Sequence, residues 1–86
     1  MPTVILRGQL QKLAGGDSEH ALDGGTVTDL LRELEQAHEA LEGWILDERG
    51  VLRRHINVFV NGERVKADAT VGPDDRIEIL PAISGG

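Results

Sequence analysis

Apolar residues open the chain as a run, Val4-Ile5-Leu6, bounded by Thr3 and Gly8. A second short segment, Ser18 to Leu22, follows the turn cluster Gly15-Gly16-Asp17, and the two read as an N-terminal hairpin with a loose connection. Three consecutive apolar residues leave the buried face of the first strand unassigned. The pattern changes after Gly24-Gly25-Thr26. Val27, Leu30, Leu31, Leu34 and Leu41 recur at helical spacing, with Arg32, Glu33, Glu35 and Glu39 on the other side. That predicts an amphipathic helix lying on something flat. Thr26 is placed to cap it, Asp29 to reach back to the cap amide, and Gly43 to stop it.

Beyond the helix, Trp44-Ile45-Leu46 and Val51-Leu52 flank the turn-rich Asp47-Glu48-Arg49-Gly50, as an irregular segment or a short hairpin. Trp44 is expected to cover an edge of the core. His55 to Val60 then alternates, with Ile56, Val58 and Val60 on one face, and Asn61-Gly62 joins it to Glu63-Arg64-Val65. Asn-Gly suits a hairpin turn that needs positive φ at both central positions. Gly72-Pro73-Asp74-Asp75 leads into a last strand, Arg76 to Leu80, with Ile77 and Ile79 sharing a face. Strands before and after a single helix suggest one mixed sheet with that helix across it.

Composition narrows the functions available. The chain has 86 residues, enough for one domain and no second. It has no cysteine, so no disulfide framework, thiolate nucleophile or thiolate metal site exists. Fifteen acidic residues against nine basic give a formal charge of −6, which argues against nucleic-acid binding. The N-terminal apolar run is too short for a signal peptide, and no stretch is long enough to span a membrane. A cytoplasmic protein is the expectation.

The distinctive chemistry lies at the end. Pro81 has no amide proton to give a neighbouring strand, so the chain after it, Ala82-Ile83-Ser84-Gly85-Gly86, leaves the sheet. These residues are small and uncharged apart from the terminal carboxylate. Such a tail threads a narrow channel and lets an enzyme approach the last carbonyl closely. A carboxylate is a poor acyl donor, so transfer from it needs activation, most directly by adenylation with ATP, before a sulfur or amine nucleophile attacks. By itself a Gly-Gly ending also fits a frayed terminus.

With these residues laid out, the chain resembles the MoaD/ThiS-type ubiquitin-like sulfur carriers. The resemblance is carried by Val4-Ile5-Leu6 followed by Leu13-Ala14-Gly15, by Thr26-Val27 with Leu30-Leu31, and by Asn57-Val58-Phe59-Val60-Asn61-Gly62. Its most specific part is the run from Asp74-Asp75 through Leu80-Pro81 to Gly85-Gly86. It implies a β-grasp fold with four to five strands, residues 1–80 as the domain and 81–86 as a flexible tail. It implies that Gly86 is adenylated by a ubiquitin-activating-type adenylyltransferase using ATP and converted to a thiocarboxylate. Gly85, Ser84 and Ile83 would then thread the partner's channel. A sulfur donor enzyme and an acceptor biosynthetic enzyme complete the set of partners, and the chain itself is a co-substrate with no catalytic residue and no bound cofactor. The acceptor could make molybdopterin, cysteine, a thiamine precursor or a specialised metabolite. A protein modifier forming isopeptides through Gly86, and a non-covalent binding domain, are the alternatives.

Phe59 and Leu80 fall on the strand faces opposite their buried neighbours and form a candidate docking patch, which the resemblance supports. Packing of Phe59 under a loop or against the Trp44 segment is the competing reading. His20, His38 and His55 are scattered, with no spacing that puts two on one metal. The acidic residues of the helix and of Asp74-Asp75 are accounted for by solvation and turn formation.

Overall fold

The computed structural model describes residues 1–81. Its elements follow in the order β1 (Thr3–Leu6), α1 (Gly8–Leu13), β2 (Glu19–Ala21), α2 (Val27–Ala37), β3 (Ile56–Val60), β4 (Glu63–Val65) and β5 (Arg76–Pro81). The strands form one sheet in the order β2-β1-β5-β3-β4. β1 and β5 run parallel at its centre, and every other pairing is antiparallel. A parallel pair needs a long crossover, and the chain from α1 to β4 supplies it.

The expected loose connection between β1 and β2 is instead the short helix α1, which buries Leu10, with Ala14 buried just past its end. Leu10, Leu13 and Ala14 do stand at helical spacing, but over too few residues to stand out from a turn-rich stretch.

α2 begins as its sequence predicts. Thr26 Oγ1 accepts from the Asp29 N–H at 3.1 Å. The reciprocal half of the capping box is replaced, because the Asp29 carboxylate lies 3.9 Å from the Arg32 guanidinium. The next free amides at the helix start, those of Val27 and Thr28, donate to the carbonyls of Ala69 and Ala67, both at 3.0 Å. Close approach explains Gly24 here: a Cβ on it would lie 2.7 Å from the Leu30 nitrogen.

The helix ends at Ala37, well before Gly43. Positions 37 and 38, where the apolar stripe would continue, hold Ala and His, so nothing large seats a further turn. A 3-10 turn, Glu39–Leu41, returns Leu41 to the core, and Gly43, with φ at +84°, bends the chain after it. Ile45 and Leu46 join the core, but Trp44 does not: it is exposed, contrary to its expected place at the core's edge.

The core lies between α2 and one face of the sheet. Val27, Leu30, Leu31 and Leu34 of α2 meet Val4 and Leu6, Ile56 and Val58, and Ile77 and Ile79, all buried. The Asn61-Gly62 turn has positive φ at both residues, 51° and 87°, as its hairpin requires. Asn61 also ties that turn to the start of β5. Its Nδ2 donates to Asp75 Oδ1 at 2.9 Å, and its Oδ1 accepts from the Arg76 N–H at 3.0 Å.

Asp75 is held below its ordinary pKa of 3.8, first by the Gly72 N–H and then by the Asn61 side chain. A lowered folded-state pKa adds stability that is present above pH 3.8 and lost as pH falls through the folded value. Thermal unfolding followed from neutral pH into this acid range should therefore show a shallower loss of Tm for Asp75→Asn than for the parent chain. Parallel curves would remove Asp75 from the acid response.

Candidate functional site

The site is built around the end of β5. As the middle strand of the sheet, β5 is hydrogen-bonded on both sides, to β1 and to β3. Leu6 is opposite Ile79, and Ile56 is opposite Pro81, so the strand stays paired to its last residue. Pro81 is tolerated there because it is the terminal position of the strand. The residues that follow, including Ile83, Ser84, Gly85 and Gly86, lie outside the described residues.

The sheet face turned away from α2 carries Phe59 and Leu80. Register across the five strands aligns Glu19, Ile5, Glu78, Phe59 and Arg64 in one row of that face. Leu80 pairs with Asn57, one pleat further along, which makes it a diagonal neighbour of Phe59. Both side chains are half-buried, and neither packs against the core. Ile5 was left without a face by its apolar neighbours in the sequence. It belongs to this outer row and is only 1% exposed. Arg7 reaches back over the face to Glu78 at 3.6 Å. The outer face is therefore a short apolar band, Ile5, Phe59 and Leu80, crossed by charges.

Two further groupings are invisible in the sequence. The rings of His20 and His38 meet edge to face with centroids 4.9 Å apart, so these histidines are not scattered as expected. No third ligand-type side chain joins them to make a metal cluster among the described residues. Trp44, Arg53 and His55 border one depression together with Glu42 and Gly43. The Ile56–Pro81 pairing brings that depression to the end of β5, a neighbourhood that only the β3–β5 register reveals.

No helix among the described residues is long and apolar enough to cross a membrane.

Comparison with known proteins agrees with this architecture along its whole length. Residues 4–86 match the ThiS family. Small archaeal modifier protein 1 of Haloferax volcanii is 39% identical over 66 residues, which is 76% of this chain and 76% of that protein. A chain of the Amycolatopsis orientalis BexX/CysO complex superposes with a TM-score of 0.87 at 32% identity, covering 100% of both chains. Small archaeal modifier protein 1 of Methanosarcina acetivorans also gives 0.87 at 32% identity, over 99% of this chain and 95% of that one. A five-stranded mixed sheet under one long helix, a central last strand and a match that runs to the final residue make this chain a member of the ThiS family of ubiquitin-like sulfur carriers and modifiers.

Proposed function

We propose that the chain is a sulfur carrier whose reacting group is the carboxylate of Gly86. The observation that carries the reading is the join between domain and tail. The best-supported strand of the sheet is paired as far as Pro81, five residues before Gly86 in the sequence, and the family match continues to Gly86. A carboxylate oxygen attacks the α-phosphorus of ATP and pyrophosphate leaves; hydrosulfide released by a partner then attacks the acyl carbon, and AMP leaves to give the thiocarboxylate. With no cysteine in the chain, the sulfur comes from a partner, and so does the catalysis. Five residues span at most about 18 Å when extended, so the activating site must lie within that distance of Pro81. ATP belongs to the activating enzyme, and an acceptor biosynthetic enzyme takes the sulfur.

A second reading, protein modification through Gly86, is favoured by the name of the archaeal relative. Both readings share the adenylation step and part at the nucleophile. The test is to incubate the chain with a ubiquitin-activating-type enzyme, ATP and a sulfur donor, and to measure the intact mass. Replacement of one terminal oxygen by sulfur supports the carrier; an isopeptide-linked adduct supports the modifier; neither product sinks both.

In this proposal the outer face of the sheet, at Phe59 and Leu80, lies against the activating enzyme. Phe59→Glu should weaken that docking by about tenfold or more, while Tm changes little, because Phe59 contributes nothing to the core. Calorimetric titration and thermal unfolding of the same variant separate the two effects, and a large loss of Tm would return Phe59 to a structural role.

A further inference from the structure

The segment between α2 and β3 is fastened from within. Ile45 and Leu46 are buried, and the Glu35 carboxylate accepts from both of their N–H groups, at 3.0 and 2.9 Å. Asp47 closes the turn beyond them by accepting from the N–H groups of Arg49 and Val51 through Oδ1. Arg53 donates from its backbone to the Ile45 carbonyl and from Nε to the Gly43 carbonyl. A segment held at this many points presents its outward side chains in a set arrangement, so little ordering entropy remains to be lost on binding. Those outward side chains include Trp44 and Val51, 44% and 52% exposed, two of the three large exposed apolar residues among those described. Exposed tryptophan beside arginine is the composition that carries most binding energy at protein interfaces.

Charge gives the partner's chemistry. Arg7, Arg32 and Arg49 each have a carboxylate within 4.0 Å, whereas Arg53 and Arg54, like Arg64 and Arg76, form no such pair among the described residues. Both border a depression of about 360 Å³ with Val51 and His55, next to the one of about 270 Å³ at Trp44. Asp47 and Arg49 offset one another across 3.2 Å, which leaves Glu42 as the only other carboxylate in these linings. Arg53 and Arg54 thus outnumber Glu42 in these linings on a chain whose formal charge is −6. Because Arg53 also borders a depression lined by Glu35, Glu39, Glu42, Asp47 and Glu48, the cationic side of the patch is the one at Arg54. The Ile56–Pro81 pairing sets it beside the root of the tail.

We propose that Trp44, Arg53, Arg54 and His55 form a docking collar for a carboxylate-bearing rim around the channel of the enzyme that activates Gly86. Guanidinium groups take carboxylates in paired, charge-assisted hydrogen bonds, and Trp44 supplies the apolar contact that excludes water from them. An acidic partner is repelled by the rest of the surface, so the collar fixes orientation as well as contact. The identity of the partner rests on the carrier reading; the collar's place rests on the strand register.

The test titrates the full chain into the ubiquitin-activating-type adenylyltransferase of the same organism, at low and high salt. It compares the parent with Arg54→Glu, Trp44→Ala and a chain lacking Gly86, and follows ATP–pyrophosphate exchange separately. The collar predicts that Arg54→Glu and Trp44→Ala each bind about tenfold or more weakly with unchanged Tm. It also predicts that parent binding weakens with salt, and that the chain lacking Gly86 still docks. Binding of both side-chain variants within twofold of the parent overturns the collar, as does absence of binding by any form. Self-association of the parent that Arg54→Glu disperses overturns it too, in favour of a second copy as the occupant. Docking that needs the collar but yields no exchange would refute the carrier reading and leave the collar standing.

Discussion

Removal of Gly86 should abolish ATP-dependent activation and leave the domain's Tm where it was. Among the described residues the side chains of the core run from Val4 to Ile79, and Gly86, a glycine, has no side chain to add to them. Deletion still leaves a carboxylate, now on Gly85, but drawn back by about 3.5 Å of extended chain. A misplacement of only 1 Å at a reacting centre costs about a hundredfold in rate, so exchange should fall by at least that factor. Scanning calorimetry and ATP–pyrophosphate exchange on the same preparation check both halves. Parent-like exchange would mean that the reacting group is elsewhere, and a Tm lower by many degrees would mean that the tail is part of the folded body.

Leu31→Ala is expected to have the largest effect on stability. Leu31 is completely buried under α2, at the centre of the seam between the helix and the sheet. Deleting a buried leucine side chain costs about 2–5 kcal/mol, the lost transfer energy plus the cavity left behind. A domain of this size has a total stability of roughly 5–10 kcal/mol, so the variant should be largely unfolded at temperatures where the parent is not. Urea unfolding should show a lower midpoint with an unchanged slope. A loss under about 1 kcal/mol would mean that the seam collapses around the gap. Activation per folded molecule should stay at the parent's level, since Leu31 faces away from the outer sheet face and from the collar.

How much of this was legible in the chain depends on the range of the interaction. The Thr26 cap, the α2 stripe, the Asn61-Gly62 turn and the alternation of β3 and β5 are local patterns. Each sits in the structure as its sequence indicates. The outer placement of Phe59 and Leu80 follows from the same alternation. What could not be read is fixed by register between distant strands. Ile5 had no assignable face until β1 paired with Glu19 on one side and Glu78 on the other. Trp44 gave a tryptophan's usual signal for burial, and only the inward commitment of Ile45 and Leu46, clamped by Glu35, turns it outward. The early end of α2 is of the same kind: Leu41 continues the helical spacing but reaches the core by a different turn. Gly86 and its neighbours lie outside the described residues, and a Gly-Gly ending also fits a frayed terminus. Their role is tested by activity and mass.

The parallel pairing of β1 with β5 has a consequence for how the protein is made. β5 separates β1 from β3 in the sheet, so without it the two halves of the sheet share no hydrogen bonds. Its Ile77 and Ile79 also fill the middle of the core. Yet β5 is the last of the described strands to be synthesised, and contacts between residues far apart in a chain must wait for both partners. Until residues 76–81 have been made, the β1–β2 hairpin, the helices and the β3–β4 hairpin lack the strand that joins them. Closure of the sheet is therefore a late event in synthesis, set by the pairing of the first described strand with the last.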